Sequence, residues 1–410
     1  MVYSSKPTIA DAVTEQIARL ASCIAHYPTT DSGLAGGDLG KVLYYFYRSR
    51  VPGMSSSAQQ GADLLKHILH RINQKQDSRI MNPSLSSGLA GLGLTLEILV
   101  NEGFVEDDLD KYLERIDQLV FDAALQKIIA GDTDFLHGSV GGFHYLSYRL
   151  EKNPKVRGYL LEFVAALHEL AIPDGDAAYL PNRFMQNWQK AKPNQIVIGL
   201  SHGMVAATLV LINLYEVGLA PHTSGQLIRQ FVNFILRYEN TRCYQPGVYG
   251  RFPNSVFLGE DPYSAHSMIS YESGLRWCYG DMNIAHLLYK ASQALGIPAW
   301  ADLARQTGLA TLAIRDNDQA QCYGSLFCHG ASGIAYYYRY LARISGEAAY
   351  ERAYEYWFEK AFDFFGEEVK QEKFLVQSGQ FLEGFVGSSL ILMADAEAEA
   401  PYWEKIWLLS

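Results

Sequence analysis

The chain is short of charge for its size: Asp, Glu, Lys and Arg make up 19% of 410 residues, against 49% hydrophobic residues. That balance excludes a disordered or fibrous protein and supplies enough apolar side chains for a large core. Basic residues are in deficit, 34 Lys and Arg against 44 Asp and Glu, and the formal charge of -10 excludes a general nucleic-acid binder. Cysteine is scarce. The five (Cys23, Cys243, Cys278, Cys322 and Cys328) are odd in number and lack framework spacing, which excludes a disulfide scaffold and points to a reducing, cytoplasmic setting. No apolar run reaches about 18 residues, so no membrane span is expected. The opening MVYSSKPTIADAVTEQ has no basic head followed by an apolar core, so no secretory signal is expected either.

What the chain has in plenty is glycine at repeating places. A Gly-x-x-small motif introduces an apolar segment seven times, at Gly33, Gly88, Gly138, Gly203, Gly280, Gly330 and Gly384, with spacings of 55, 50, 65, 77, 50 and 54 residues. About three such tetrapeptides arise by chance in a chain this rich in glycine, so the motif alone is weak. The segments that follow carry the signal. LAGLGLTLEILVNEG, DMNIAHLLYKASQALG and ASGIAYYYRYLARISG are apolar or aromatic around most of a helical circumference, which suits an inner helix. The more polar stretches Ala58 to Asn73 and Leu109 to Ala130 read as outer partners. Seven such hairpins, each unable to bury its apolar face alone, predict an all-α fold: an α/α toroid with seven inner and seven outer helices in a single domain over residues 1–410. Two long interruptions, Pro173 to Ile198 and Asn240 to Gly274, are rich in Pro, Gly, Asn and Tyr, a composition suited to loops that line a site.

Superposing the repeats on their first glycines gathers the reactive residues at one level of the ring. Cys278 and Cys328 stand two positions before their glycines; His137, His202 and His329 stand one before, and Asp134 stands four before Gly138. Two thiolates and an imidazole suit zinc with its fourth position open. Free cysteine is also common as a small buried hydrophobe, and spacing alone leaves both readings open. His202 can serve as a general acid or base or as a helix-cap residue. Asp134 can orient it or serve its own helix, and His137 reads as supporting or structural. Cys23, Cys243 and Cys322 are out of register and read as inert, and Tyr336, Tyr337 and Tyr338 read as packing.

At WCYGDMNIA, CHGASGIA and GLSHGM the sequence resembles the lanthionine synthetase C family, the LanC-type cyclases of lanthipeptide biosynthesis, over essentially its whole length. The resemblance implies zinc held by Cys278, Cys328 and His329. It also implies addition of a peptide cysteine thiolate to dehydroalanine or dehydrobutyrine in the same precursor, closing a thioether ring. His202 and Asp134 match the residues linked to proton handling, and Tyr279 matches a tyrosine lining the site. The family's frequent arginine four positions before the first zinc cysteine is Gly274 here, with Arg276 as its candidate replacement. With no room for a fused dehydratase, the expected partners are a dehydrated precursor peptide and a separate dehydratase. A non-cyclising relative that binds zinc and a thiol such as glutathione is the alternative. A toroid glycosidase would pair Asp134 with Asp281 and leave the cysteines unexplained. A zinc-dependent prenyltransferase subunit would lack its second chain.

Overall fold

All seven apolar segments are helices in the computed structural model, which describes residues 9–26, 29, 31–106, 109–188, 192, 194–395 and 399–410. Residues 1–8 of the opening stretch read for a secretory signal lie outside the described residues, as do residues 189–191 and 193 of the first interruption. In chain order the helices begin with α1 (Ile9–His26), α2 (Asp38–Arg48), α3 (Ser57–Asn73), α4 (Leu89–Asn101), α5 (Asp110–Ile129) and α6 (Ser139–Ser147). They continue with α7 (Val156–Leu170), α8 (Arg183–Trp188), α9 (Met204–Glu216), α10 (Pro221–Leu236), α11 (Asp281–Leu295) and α12 (Pro298–Ala310). The last are α13 (Asn317–Ala320), α14 (Ala331–Ser345), α15 (Ala348–Glu368), α16 (Glu372–Leu375) and α17 (Phe385–Asp395).

Burial sorts them into two rings. α2, α4, α6, α9, α11, α14 and α17 are buried along most of their length, each packs on the next, and α17 returns to α2 to close the inner ring. The outer ring is α1, α3, α5, α7, α10, α12 and α15, each apolar on one face only. The first helix covers the last: α1 packs on α17, and Ser378 Oγ donates to the Cys23 carbonyl. The seven-plus-seven toroid expected from the repeats is therefore the observed fold. No helix among the described residues is long and apolar enough to cross a membrane. Tyr336, Tyr337 and Tyr338 are fully buried, as expected of packing residues.

The register of the first repeat is corrected by the structure. Gly33 does not open an inner helix; α2 starts at Asp38 with Gly37 as its N-cap, four residues on. The stretch SGLAGGDLG holds two consecutive glycine motifs, and packing selects the second. In five repeats the motif's second glycine lies against the carbonyl six residues earlier: Gly40 on Leu34, Gly91 on Leu85, Gly141 on Phe135, Gly333 on Phe327 and Gly387 on Phe381. A Cβ at Gly333 would stand 1.7 Å from that oxygen, so no larger residue fits there without moving the backbone. Ala206 and Asn283 hold the equivalent places in the fourth and fifth repeats.

The middle of the ring is filled. The residue three before each motif glycine is large and apolar (Leu34, Leu85, Phe135, Leu200, Trp277, Phe327 and Phe381), and all seven are buried. The 3-10 segment Tyr402–Trp407 packs into this layer. Its Trp407 ring lies 5.3, 5.8 and 5.0 Å from those of Trp277, Phe327 and Phe381, and Trp277 Nε1 donates to the Trp407 carbonyl at 3.1 Å. Each such side chain contributes roughly 1.5–3 kcal/mol by leaving water. Because Trp277 and Phe327 immediately precede Cys278 and Cys328, this aromatic layer is the floor beneath both cysteines.

The interruptions carry short antiparallel pairs. β1 (Ile172–Asp174) and β2 (Ala177–Tyr179) form a hairpin. β3 (Gln195–Val197) pairs with β4 (Ser255–Phe257), Gln195 opposite Phe257, so the two interruptions are tied to each other.

Candidate functional site

The turns that open the inner helices are joined by backbone hydrogen bonds that run around the ring. In each bond the turn of one repeat donates to the carbonyl two residues before the motif glycine of the next. Ala35 N–H reaches Ser86 O at 2.9 Å, Ser86 N–H reaches Leu136 O at 2.9 Å, and Ser201 N–H reaches Cys278 O at 3.2 Å. Trp277 N–H reaches Cys328 O at 3.2 Å, Cys328 N–H reaches Leu382 O at 3.0 Å, and Leu382 N–H returns to Ala35 O at 3.1 Å. Six of the seven joints are closed this way. At the remaining joint, between the third turn (Asp134 to Gly138) and the fourth (Ser201 to Gly203), no such bond forms among the described residues.

This ring brings Cys278, Cys328 and His329 together across two consecutive turns. Cys278 Sγ is 3.3 Å and Cys328 Sγ 3.8 Å from His329 Nε2, and all three ligand atoms lie within 4.8 Å of one another. Tetrahedral zinc with ordinary Zn–S and Zn–N bonds needs sulfur-to-nitrogen separations of roughly 3.5 Å, so the three residues fit the ion with little movement. Gly280 makes the first of these turns possible: at φ +109° it adopts a conformation that side-chain-bearing residues avoid. The group is polarised even without a cation. Burial pushes the Cys278 thiol up, but hydrogen bonds from Cys328 and His329 outweigh it and hold the thiol at about 5. Burial lowers His329, yet its bonds to Cys278 and Glu383 carry it to about 10. Cys328 is driven up by its bond to the Cys278 sulfur and by burial.

The position before the motif glycine supplies one more residue that sequence reasoning passed over. Glu383, before Gly384, stands in the same register as His202 and His329, and its Oε1 is 2.9 Å from His329 Nδ1. A carboxylate on the far nitrogen fixes the ring's orientation and leaves Nε2 for a metal. Register alone could have found it.

At the open joint, side chains replace the missing backbone bond. His202 Nδ1 lies 2.7 Å from Asp134 Oδ2, with both residues buried, so the expected pair is brought together. Asp134 Oδ1 accepts the His137 backbone N–H at 2.8 Å, and His137 Nδ1 is 2.8 Å from Ser86 Oγ, a supporting position. Burial, helped by nearby His202, lowers His137 and keeps its imidazole neutral. Asn182, buried in the first interruption, spans the joint. Its Nδ2 donates to the His202 carbonyl at 2.6 Å and to Asp134 Oδ2 at 3.3 Å. Thr133 Oγ1 donating to Pro181 O and Arg183 N–H donating to Gly131 O anchor this stretch to the third turn. Nothing in the repeat register pointed to Asn182, because it lies outside every repeat.

Tyr279 sits between the two groups, its ring 6.5 Å from that of His202 and against Gly199. Burial and the neighbouring Cys278 thiolate raise its pKa, so the phenol keeps its proton as a donor. Arg276 is placed by Gly274. A Cβ at Gly274 would stand 3.1 Å from Arg276 Nη2, so the guanidinium folds back over the position four before Cys278. It pairs with Glu272 at 3.3 Å, its Nε is buried with no partner among the described residues, and its charge helps hold Cys278 down. Asp281 stands apart from this group, its two oxygens accepting the backbone N–H of Arg251 and Phe252 at 2.7 and 2.9 Å. The out-of-register cysteines differ: Cys322 is buried and pushed up to about 12, Cys23 is half-buried and raised, and Cys243 is exposed.

Comparison with known proteins finds likenesses among solved structures. The structure of nisin cyclase superposes with a TM-score of 0.74 at 19% identity, covering 98% of this chain and 98% of that one. An unsaturated glucuronyl hydrolase from Bacillus sp. GL1 follows at a TM-score of 0.38 and 12% identity, covering 86% of this chain and 97% of that one. No curated protein matches the sequence. The family model for lanthionine synthetase C-like proteins matches residues 28–408, which takes in all seven turns and the filled centre of the ring. On that match, nearly the length of the chain, the protein belongs to the lanthionine synthetase C-like family.

Proposed function

We propose that the chain is a zinc-dependent cyclase that closes thioether rings in a dehydrated precursor peptide, working in the cytoplasm as one toroidal domain beside a separate dehydratase. The observation that carries this reading is the convergence of Cys278, Cys328 and His329 on one point, one backbone bond away from the turn that holds His202. Cys278, Cys328 and His329 would hold the zinc. Bound there, the ion would lower the pKa of a substrate thiol and so supply the nucleophile at neutral pH.

The chain's own residues account for the rest. The thiol proton passes to His202 Nε2, whose other nitrogen is held by Asp134, so the imidazolium is stabilised where it forms. The thiolate adds to Cβ of the dehydro residue, a C–S bond forms, and the π pair moves to the amide oxygen as an enolate. His202 then returns its proton to Cα. Arg276 supplies positive charge beside the site, and the Tyr279 phenol donates a hydrogen bond to the developing oxyanion. Asp134 and Asn182 are positioning residues.

Ring closure leaves the peptide mass unchanged, so the test counts thiols. The purified protein, with one zinc by elemental analysis, is incubated with a synthetic peptide carrying one dehydroalanine and one cysteine. Loss of alkylatable thiol is expected with wild type, and both zinc and thiol loss should vanish with Cys278→Ala. A protein that binds zinc and leaves the thiol alkylatable would be a thiol-binding relative instead.

A further inference from the structure

Of the six tryptophans, five are buried, and Trp188 alone is open, with 56% of its surface exposed. It ends α8, in the same stretch that brings Asn182 to the open joint. Its indole is held from one side by three rings, 5.5 Å from Phe184, 5.7 Å from His137 and 5.7 Å from His202. Phe184 in turn stacks on His137 at 5.1 Å, and His137 on His202 at 5.7 Å. The result is an aromatic shelf, braced behind and open in front, that starts at the proton-handling histidine and runs outward along the first interruption.

We propose that Trp188 and Phe184 are the surface on which the dehydroamino acid of the substrate peptide lies while its Cα receives a proton from His202. This rests on the cyclase reading above. A carbon protonated by His202 must come within about 3 Å of its free ring nitrogen, and the indole borders that same space. The chemistry of the shelf matches such a guest. A dehydroalanine or dehydrobutyrine residue is flat, conjugated and uncharged, and flat π-systems gain most from an aromatic face. Burial keeps the His137 imidazole at the back neutral, so the proton that the shelf presents to its guest is the one His202 carries. Tryptophan is also among the residue types that carry most of the energy in protein recognition. Trp188 is therefore a specificity-determining residue: it selects the alkene partner, whereas the cysteine–histidine group selects the thiol.

The test needs a probe that binds but cannot cyclise. Because Trp188 is the one open tryptophan, acrylamide quenching of intrinsic fluorescence reports on it. A synthetic peptide with dehydroalanine and S-methylcysteine should protect the zinc-loaded protein from quenching, several-fold better than the same peptide with alanine in place of dehydroalanine. Phe184→Ala, which keeps the fluorescent indole and removes a ring that braces it, should abolish most of that difference with zinc content unchanged. With the free-cysteine peptide, Trp188→Ala should raise KM by about tenfold, the loss expected for an aromatic anchor, with a smaller change in kcat, and Trp188→Phe should restore most of it. Equal protection by the two peptides, or an unchanged KM in Trp188→Ala, overturns the proposal. If the wild type closes no ring, the cyclase reading fails, and the quenching comparison still decides whether the shelf selects an alkene.

Discussion

The two halves of the site are built by different means, although both hang from one ring of turns. Cys278, Cys328 and His329 lie where backbone bonds join the fifth, sixth and seventh turns, over a floor of Trp277, Phe327 and Trp407. Asp134 and His202 lie where the ring lacks its bond, and they are held by each other and by Asn182 from an inserted stretch. The cation side is thus fixed by the repeat itself, and the proton side by residues added to it. A repeat can preserve a ligand set through its own geometry, whereas a proton-transfer pair at an open joint depends on whatever fills that joint.

If this contrast is right, the halves fail separately. Cys328→Ala is expected to lose zinc and ring closure together while the toroid stays folded. His202→Ala is expected to keep its zinc and slow ring closure by about 10²- to 10⁴-fold, the usual worth of general acid–base catalysis. Elemental analysis beside the thiol assay separates them, and zinc loss in His202→Ala would merge the two halves into one.

The next effect is on the cation side alone. In the metal-free protein His329 sits at about 10 and Cys328 is raised, so both are protonated at neutral pH, while Cys278 at about 5 is already a thiolate. Zinc uptake must then release two protons. Its affinity should rise by about 100-fold for each pH unit across the neutral range and fall equally as pH drops. Chelator competition at several pH values measures the slope, and tenfold per unit would mean that one ligand had lost its proton beforehand. Glu383→Gln weakens the hold on His329 and should lower zinc affinity by about 10- to 100-fold, as for other partners of metal-bound histidines. An unchanged affinity would leave Glu383 a surface residue.

The smallest effect sharpens the proton side. Asn182→Ala takes its donor from the buried His202 carbonyl, at about 1–3 kcal/mol, and leaves Asp134 Oδ2 held by His202 Nδ1 alone. It should lower kcat about tenfold with zinc affinity and KM little changed. A rise in KM alone would make Asn182 a peptide contact.

Glycine placement made the double ring legible, because each motif glycine marks a turn that no larger residue can take. It failed at the first repeat, where Gly33 and Gly37 satisfy the same pattern and only the approach of Gly40 to the Leu34 carbonyl decides between them. Cys278, Cys328, His329, His202 and Asp134 were legible because they share the repeat register. Glu383 shares it too and was missed, since a lone carboxylate in register has no ligand partner until its contact with His329 is seen. Asn182, Phe184 and Trp188 were legible only as part of a stretch suited to lining a site, not as individual residues. They belong to an interruption, and where an interruption folds back is fixed by tertiary contacts such as Arg183 with Gly131, not by local pattern.

The pairing of α1 with α17 sets the order in which the molecule can be finished. Contacts such as Ser378 with Cys23 span most of the chain and can form only once nearly all of it has been made. On the ribosome, Cys278 and Cys328 emerge before Glu383 and before the Trp407 that lies under them. Until those arrive the two thiols lack the Trp407 part of their floor and an oriented histidine, so tight capture of zinc is expected to coincide with closure of the ring and to time it.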